Sequence, residues 1–151
     1  MEFNQDFRDM LSALNDANVD FLIVGAYAVA AHGFPRATGD LDIWIRADVQ
    51  TAPKVIRALT VFGAPLYDLT VADLSYPSIV FQIGVPPGRI DLLTSISGIN
   101  FDDAWPRQIR VEIDGLVLPV ISRSDLIANK RASGRPKDLV DLHVLERGQD
   151  E

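Results

Sequence analysis

The stretch from Phe21 to Ile45 constrains the fold most, because its 25 residues hold two predicted strands and a helix. "FLIV" is typical of a short buried strand, and Gly25 follows it directly. Ala26 to Ala31 then has the small residues of a compact helix, and Leu41 to Ile45 alternates as a second strand. This close succession of strand, helix and strand predicts a mixed α+β fold.

The rest of the chain continues the alternation. Periodic apolar residues predict further helices and strands: helices over 4–17, Thr51–Phe62, 122–132 and Asp138–Leu145, and strands over Ile79–Ile83, Arg89–Leu93, Arg110–Ile113 and Leu116–Ile121. Residues 64–78 are mostly loop by this interpretation. No repeat or linker divides the sequence, so we expect one domain over residues 1–151 that ends in C-terminal helices at about 122–146.

Composition excludes several classes of protein. The chain has no Cys, which excludes disulfides and thiolate metal sites and suits a cytoplasmic location. No apolar run reaches the roughly 18 residues of a membrane span, so we expect no membrane partner. The net charge of −7 is opposite in sign to that of most nonspecific nucleic-acid binders.

Two aspartates stand on alternate positions at the start of the second strand. Asp40 and Asp42 face the same side about 6–7 Å apart, where they repel each other. Two such carboxylates suit a hard divalent cation, and Asp91 in "RIDLL" offers a third, beside Arg89 on the outward face. The alternative is that each aspartate caps a loop or pairs with an arginine.

Backbone groups near Gly25 suggest an anion site. A helix that opens at Gly25 and Ala26 presents free N–H groups, and a glycine lets a phosphate approach closely because it has no Cβ. A glycine at such a turn also occurs for turn geometry alone. Only its combination with the nearby acidic pair makes this pattern specific for a nucleotide.

This combination of motifs resembles the nucleotidyltransferase superfamily with the polymerase-β-like fold. The segments "RATGDLDIWI", "QIGVPPGRIDLLTSISG" and "LIANKRASGRPKDLVDL" are similar to small stand-alone members, which are related to the minimal nucleotidyltransferases and the abortive-infection nucleotidyltransferase toxins. The resemblance covers roughly residues 20–146. It implies a mixed β-sheet flanked by helices.

The resemblance also implies an activity and a set of ligands. The chain would transfer a nucleoside monophosphate from an NTP, such as ATP, to an acceptor hydroxyl, with two Mg²⁺ ions or Mn²⁺ in their place. Asp40 and Asp42 would bind both metals, and Asp91 would bind one and help activate the hydroxyl. Gly25 and Ala26 would hold the nucleotide phosphates.

One residue departs from the family pattern. The superfamily usually has Gly or Ser after the motif glycine, and this chain has Ala26, which offers no hydroxyl to a phosphate. A degenerate domain that binds nucleotide or a partner without turnover is therefore the alternative function. A phosphatase of the D-x-D kind ranks last, since Asp40 and Asp42 open their strand rather than end it.

Basic residues concentrate late in the otherwise acidic chain. The segment "NKRASGRPKD" contains Lys130, Arg131, Arg135 and Lys137. They form either a solvated face or a contact set for the β- and γ-phosphates, for which Lys130 is the first choice and Arg36, from the loop before Asp40, the second. We expect Asp138 and Asp141 to orient Lys130 or an arginine by salt bridges, and Arg89 to pair with a carboxylate.

The acceptor is not readable from the sequence. An RNA end such as that of tRNA, a partner protein and a small molecule all stay open. The resemblance to toxins implies a toxin–antitoxin or phage-defence context and favours a macromolecular acceptor, such as tRNA or a partner protein. The acidic composition favours acceptors other than RNA. Trp44 shares the aspartate face, where it either stacks on a base or, as we expect, packs beside the buried strand.

Overall fold

The computed structural model describes residues 3–35 and 39–149. These residues form six strands, seven α-helices and one 3₁₀ turn at Trp105–Arg107. In chain order the elements are α1 Gln5–Asp16, β1 Phe21–Val24, α2 Gly25–Ala31, β2 Leu41–Ile45, α3 Ala52–Phe62, α4 Val71–Leu74, β3 Val80–Ile83, β4 Ile90–Leu93, α5 Phe101–Ala104, β5 Ile109–Ile113, β6 Leu116–Val120, α6 Arg123–Ser133 and α7 Pro136–Gln149.

All strands and longer helices expected from the sequence are present, with ends that differ by a few residues. Two helices were missed, α4 and α5, and each has only four residues. Thr70 opens α4 with a capping box, in which its hydroxyl accepts from the Asp73 amide and the Asp73 carboxylate accepts from the Thr70 amide. A single turn shows no hydrophobic period, so α4 was not predicted within residues 64–78, which are otherwise loop and turn as expected.

The strands form one mixed sheet in the order β3-β4-β2-β1-β6-β5. β2 runs antiparallel to β1 and parallel to β4, while β1 runs parallel to β6. The hairpin pairs β3/β4 and β5/β6 are antiparallel and form the two ends of the sheet. All four residues of β1 are buried, so the centre of the sheet is covered on both faces.

The helices cover the sheet with the apolar residues that the sequence pattern indicates. α1 begins at the Asn4 cap and buries Phe7, Met10, Leu11 and Leu14 as it packs on α3. Trp44 is 1% exposed and lies edge-on to Phe101, with ring centres 5.0 Å apart, so the expected packing role is confirmed. No helix in the described part of the chain is both long and apolar enough to span a bilayer.

The C-terminal helices lie where they complete a cleft over the sheet. The Ser122 hydroxyl caps α6 by accepting from the Asp125 amide at 3.1 Å, and Arg107 forks onto the Asp125 carboxylate. Gly134 ends α6 in the left-handed region, at φ 61°. α7 packs back on α6, and α6 also contacts α2. This arrangement carries the late basic segment to the face of the sheet that bears the aspartates.

Candidate active site

A row of paired residues crosses the sheet and contains two of the three predicted aspartates. Asp42 of β2 pairs with Val24 on one side and with Asp91 of β4 on the other, and Asp91 pairs in turn with Gln82. Neighbouring strands lie about 4.8 Å apart, so Asp42 and Asp91 are immediate neighbours. Asp40 precedes Asp42 by two residues and faces the same side. The structure thus brings the three carboxylates together.

Alternation along β4 explains why Asp91 faces the cleft. Its flanking residues Ile90 and Leu92 are each 1% exposed and belong to the core on the opposite face of the sheet. The expectation that they face inward while Arg89 and Asp91 face outward together is confirmed. Asp91 is itself buried among these strands, which leaves it little solvent to screen its charge.

Arg89 supplies a positive charge between the aspartates. Its Nε donates to Asp91 Oδ1 at 2.8 Å and its Nη2 donates to Asp91 Oδ2 at 3.1 Å. The backbone amide of Arg89 donates to Asp40 Oδ1 at 3.3 Å, and the guanidinium lies 3.6 Å from Asp40 Oδ2. The expected pairing of Arg89 with a carboxylate is confirmed, and it engages both oxygens of Asp91.

The surroundings of Asp42, unlike those of Asp91, disfavour a negative charge. Burial, followed by repulsion from Asp91 and Asp40, raises the pKa of Asp42 from 3.8 to about 6, although Lys137 and Lys130 act to lower it. The charged form of this side chain is therefore unfavourable as the site stands. A further cation next to Asp42 would relieve that cost.

Gly25 is required by Asp42. It has a positive φ of 69°, and a Cβ added at this position would lie 2.1 Å from Asp42 Oδ2. The sequence argument assigned the glycine to phosphate approach. The structure adds a second reason, since only a residue without a side chain leaves room for the carboxylate of the neighbouring strand.

The opposite side of the cleft is organised around a buried lysine. Lys130 Nζ lies 3.2 Å from Asp138 Oδ1 and 3.0 Å from Asp141 Oδ2, so the expected salt bridges are confirmed. All three side chains are at most 5% exposed. Burial alone would raise the pKa of Asp138, but hydrogen bonds from Arg135, Ser133 and Lys130 lower it well below its ordinary value.

These two sides enclose a cleft of about 730 Å³. Gly25, Ala26 and the three aspartates line one side, which we call the acidic floor, together with Arg89. Lys130, Arg135 and Lys137 line the other, which we call the basic wall. The fourth residue of the basic segment, Arg131, instead pairs with Glu146 away from the cleft.

Two further observations define the site as it stands. Within residues 3–35 and 39–149, no group of three His, Cys, Asp or Glu side chains is already arranged to hold a metal ion. Arg36, a predicted phosphate contact, lies outside the described residues.

Sequence reasoning missed Gln82, which lines the cleft and pairs with Asp91 on the neighbouring strand. Its place follows from the register of β3 on β4, which alternation within one strand does not reveal.

Comparison with known proteins decides the family. The model of a family described as nucleotidyl transferases of unknown function (DUF2204) matches residues 3–151. The chain belongs to this nucleotidyltransferase family. No curated protein sequence matches it significantly.

Solved nucleotidyltransferase structures share the fold. The lincosamide antibiotic adenylyltransferase LnuA, bound to lincomycin, superposes with a TM-score of 0.61 at 17% identity, over 96% of this chain and 97% of its own. The antibiotic-resistance factor ANT(2'')-Ia gives 0.65 at 13% identity, over 95% and 82%. A putative nucleotidyltransferase from Thermotoga maritima gives 0.59 at 16% identity, over 95% and 90%. The predicted polymerase-β-like α+β fold is thus confirmed.

Proposed function

We propose that this nucleotidyltransferase is an active, Mg²⁺-dependent enzyme that transfers a nucleoside monophosphate from an NTP to an acceptor hydroxyl. The observation that carries the proposal is the position of Asp42 beside Asp91 on parallel strands, with Asp40 on the same face, opposite a wall of three cations. Carboxylates grouped in this way suit divalent ions, and the wall suits phosphates.

Each group has a role in the proposed reaction. Asp40 and Asp42 would hold both metal ions and Asp91 one of them, and ions bound there would stabilise the attacking and leaving oxygens. The acceptor oxygen attacks the α-phosphorus, its proton leaves toward Asp91, and the bond to pyrophosphate breaks. Lys130, which lines the cleft, would contact a phosphate while Asp138 and Asp141 hold its ammonium group in place.

The substrates to test first follow from the relatives and from charge. LnuA is an adenylyltransferase of lincosamide antibiotics, and this chain spans nearly all of its length, so ATP and a small hydroxylated molecule come first. The net charge of −7 argues against an RNA acceptor. An RNA end or a partner protein, in a toxin–antitoxin or phage-defence setting, comes second.

Calorimetry with Mg²⁺ and each of the four NTPs tests the nucleotide site. The double variant Asp40→Ala, Asp42→Ala should lose metal-dependent binding. A matched control, Asp16→Ala with Asp68→Ala, removes the same charge from exposed positions and should retain it. If the folded wild-type chain binds none of the four NTPs, the enzyme proposal fails.

A binding module without turnover is the second candidate. Ala26 favours it, because the chain lacks the usual hydroxyl at that position, and so does the fork of Arg89 on Asp91. Under this alternative the protein would bind Mg²⁺ and NTP but release no pyrophosphate with any acceptor. Pyrophosphate release in the presence of small hydroxylated compounds, RNA ends or candidate proteins separates the two functions.

A further inference from the structure

The acidic floor already contains a cation, and that cation is Arg89. Its guanidinium donates to both oxygens of Asp91 and lies 3.6 Å from Asp40, while its backbone amide also donates to Asp40. Bidentate arginine–carboxylate pairs are among the strongest polar contacts in proteins. A divalent ion at Asp91 must therefore compete with a well-formed ion pair.

A divalent ion competes with Arg89 mainly at Asp91 and much less at Asp42. Among the described residues no arginine forks onto Asp42, whereas Arg89 engages both oxygens of Asp91. An ion bound between Asp40 and Asp42 would compete with Arg89 only for Asp40, which the guanidinium approaches to 3.6 Å. An ion that binds Asp91 on the side held by Arg89 must displace the guanidinium.

A bound nucleotide would give the guanidinium of Arg89 new anionic partners. Its side chain is 27% exposed and lines the cleft, so it is free to swing toward the space above the floor. With the cleft empty of anions, release from Asp91 would leave the guanidinium with the longer contact to Asp40, 3.6 Å away, in place of two hydrogen bonds. With a triphosphate in the cleft, phosphate oxygens replace the carboxylate it gives up.

We propose that Arg89 is the resident counter-ion of Asp91, and that it moves from Asp91 to the substrate phosphates, making metal binding at Asp91 depend on the nucleotide. Arg89 is thus a positioning residue that couples the two ligands, since each makes room for the other. The inference rests on the proposed function, because it assumes a metal–nucleotide site in this cleft.

Manganese binding measured by electron paramagnetic resonance tests the coupling without any turnover. The proteins are wild type, Arg89→Gln and the control Arg110→Gln. The control removes the same charge from an exposed side chain, which donates a hydrogen bond to Gln108 and lies outside the cleft lining. Each is titrated with Mn²⁺ alone, and with Mn²⁺ plus a non-hydrolysable α,β-methylene analogue of ATP.

The expected result is specific to Arg89. Without the analogue, Arg89→Gln should bind Mn²⁺ about tenfold more tightly than wild type, and Arg110→Gln should not. The additional change Asp91→Asn should abolish the gain, which places the ion at Asp91. Adding the analogue should strengthen Mn²⁺ binding by wild type far more than by Arg89→Gln.

Equal Mn²⁺ affinity of Arg89→Gln and Arg110→Gln, each without the analogue, overturns the inference. If Arg89→Gln does not fold, as judged by circular dichroism, Arg89→Lys replaces it, because a lysine keeps the charge but cannot fork. That variant should show a smaller gain, and no gain overturns the inference equally. Absence of Mn²⁺ binding by wild type even with the analogue instead defeats the proposed function.

Discussion

Replacing Asp42 with asparagine should make the metal-free protein more stable near neutral pH. Asparagine has nearly the same shape but carries no charge, so it avoids the repulsion from Asp91 and Asp40 and the cost of burying a carboxylate. The gap between 3.8 and about 6 in the pKa of Asp42 corresponds to ~3 kcal/mol. Because solvent partly screens a half-buried side chain, we expect a gain of about 1–2 kcal/mol.

The gain should depend on pH in a fixed direction. The folded-state pKa of Asp42 is raised, so between about pH 4 and pH 6 the folded chain keeps a proton that the unfolded chain has lost. The free energy of unfolding of wild type therefore falls as pH rises through this window, and the loss is complete above it. Asp42→Asn removes this loss, so its advantage is full at pH 7.5 and shrinks toward pH 5.

Urea unfolding at pH 5.0, 6.0 and 7.5 without divalent ions measures the effect. The exposed control Asp68→Asn should match wild type within about 0.5 kcal/mol at each pH. Added Mg²⁺ and ATP should stabilise wild type but not Asp42→Asn. The reasoning is refuted if Asp42→Asn is no more stable than wild type at pH 7.5, or if its advantage does not change with pH.

Two other substitutions test the geometry. Gly25→Ala places a methyl group against the Asp42 carboxylate in a left-handed backbone, so it should cost about 1–3 kcal/mol in thermal unfolding and abolish metal–nucleotide binding in calorimetry. Gly63→Ala shares the positive φ but meets no atom within 4 Å, and a loss as large as that of Gly25→Ala would contradict the clash. Asp138→Asn should cost about 3 kcal/mol in urea unfolding at pH 7.5 and progressively less below about pH 4, because the pKa of Asp138 is lowered in the fold. Glu146→Gln, which breaks an ion pair at a partly exposed side chain, should cost under 1 kcal/mol, and equal costs would refute the buried network.

The local pattern of the sequence was sufficient to predict which face of its strand each aspartate of the acidic floor occupies. Alternation in "RIDLL" assigns Asp91 to the face opposite Ile90 and Leu92, and the spacing of Asp40 and Asp42 assigns both to one face. Their convergence depends on β2 lying beside β4 in parallel register. That pairing joins segments separated by two helices and a hairpin strand, and no local pattern encodes it.

Tertiary contacts explain what sequence reasoning left out. Gly25 was linked to phosphate because the residues beside it said nothing of Asp42, which reaches it only across the sheet. Arg89 was expected to pair with a carboxylate, but its hold on both oxygens of Asp91 needs the geometry of the strand. The helix α4 was missed because its capping box stabilises a turn too short to have a period.

The charges of the cleft fit a metal–nucleotide complex better than either component alone. The acidic floor has three aspartates against one arginine, and the basic wall has Lys130, Arg135 and Lys137, with the first two held by buried aspartates. A free triphosphate would face the repulsion of the floor, and a free divalent ion would face that of the wall. When the two bind together, the divalent ion can lie against the acidic floor and the triphosphate against the basic wall. Each ligand then offsets the repulsion that the other would meet alone. Under the proposed function the network around Lys130 would matter to binding as much as the floor does, because it fixes positive charge on the side where we propose that the phosphates lie.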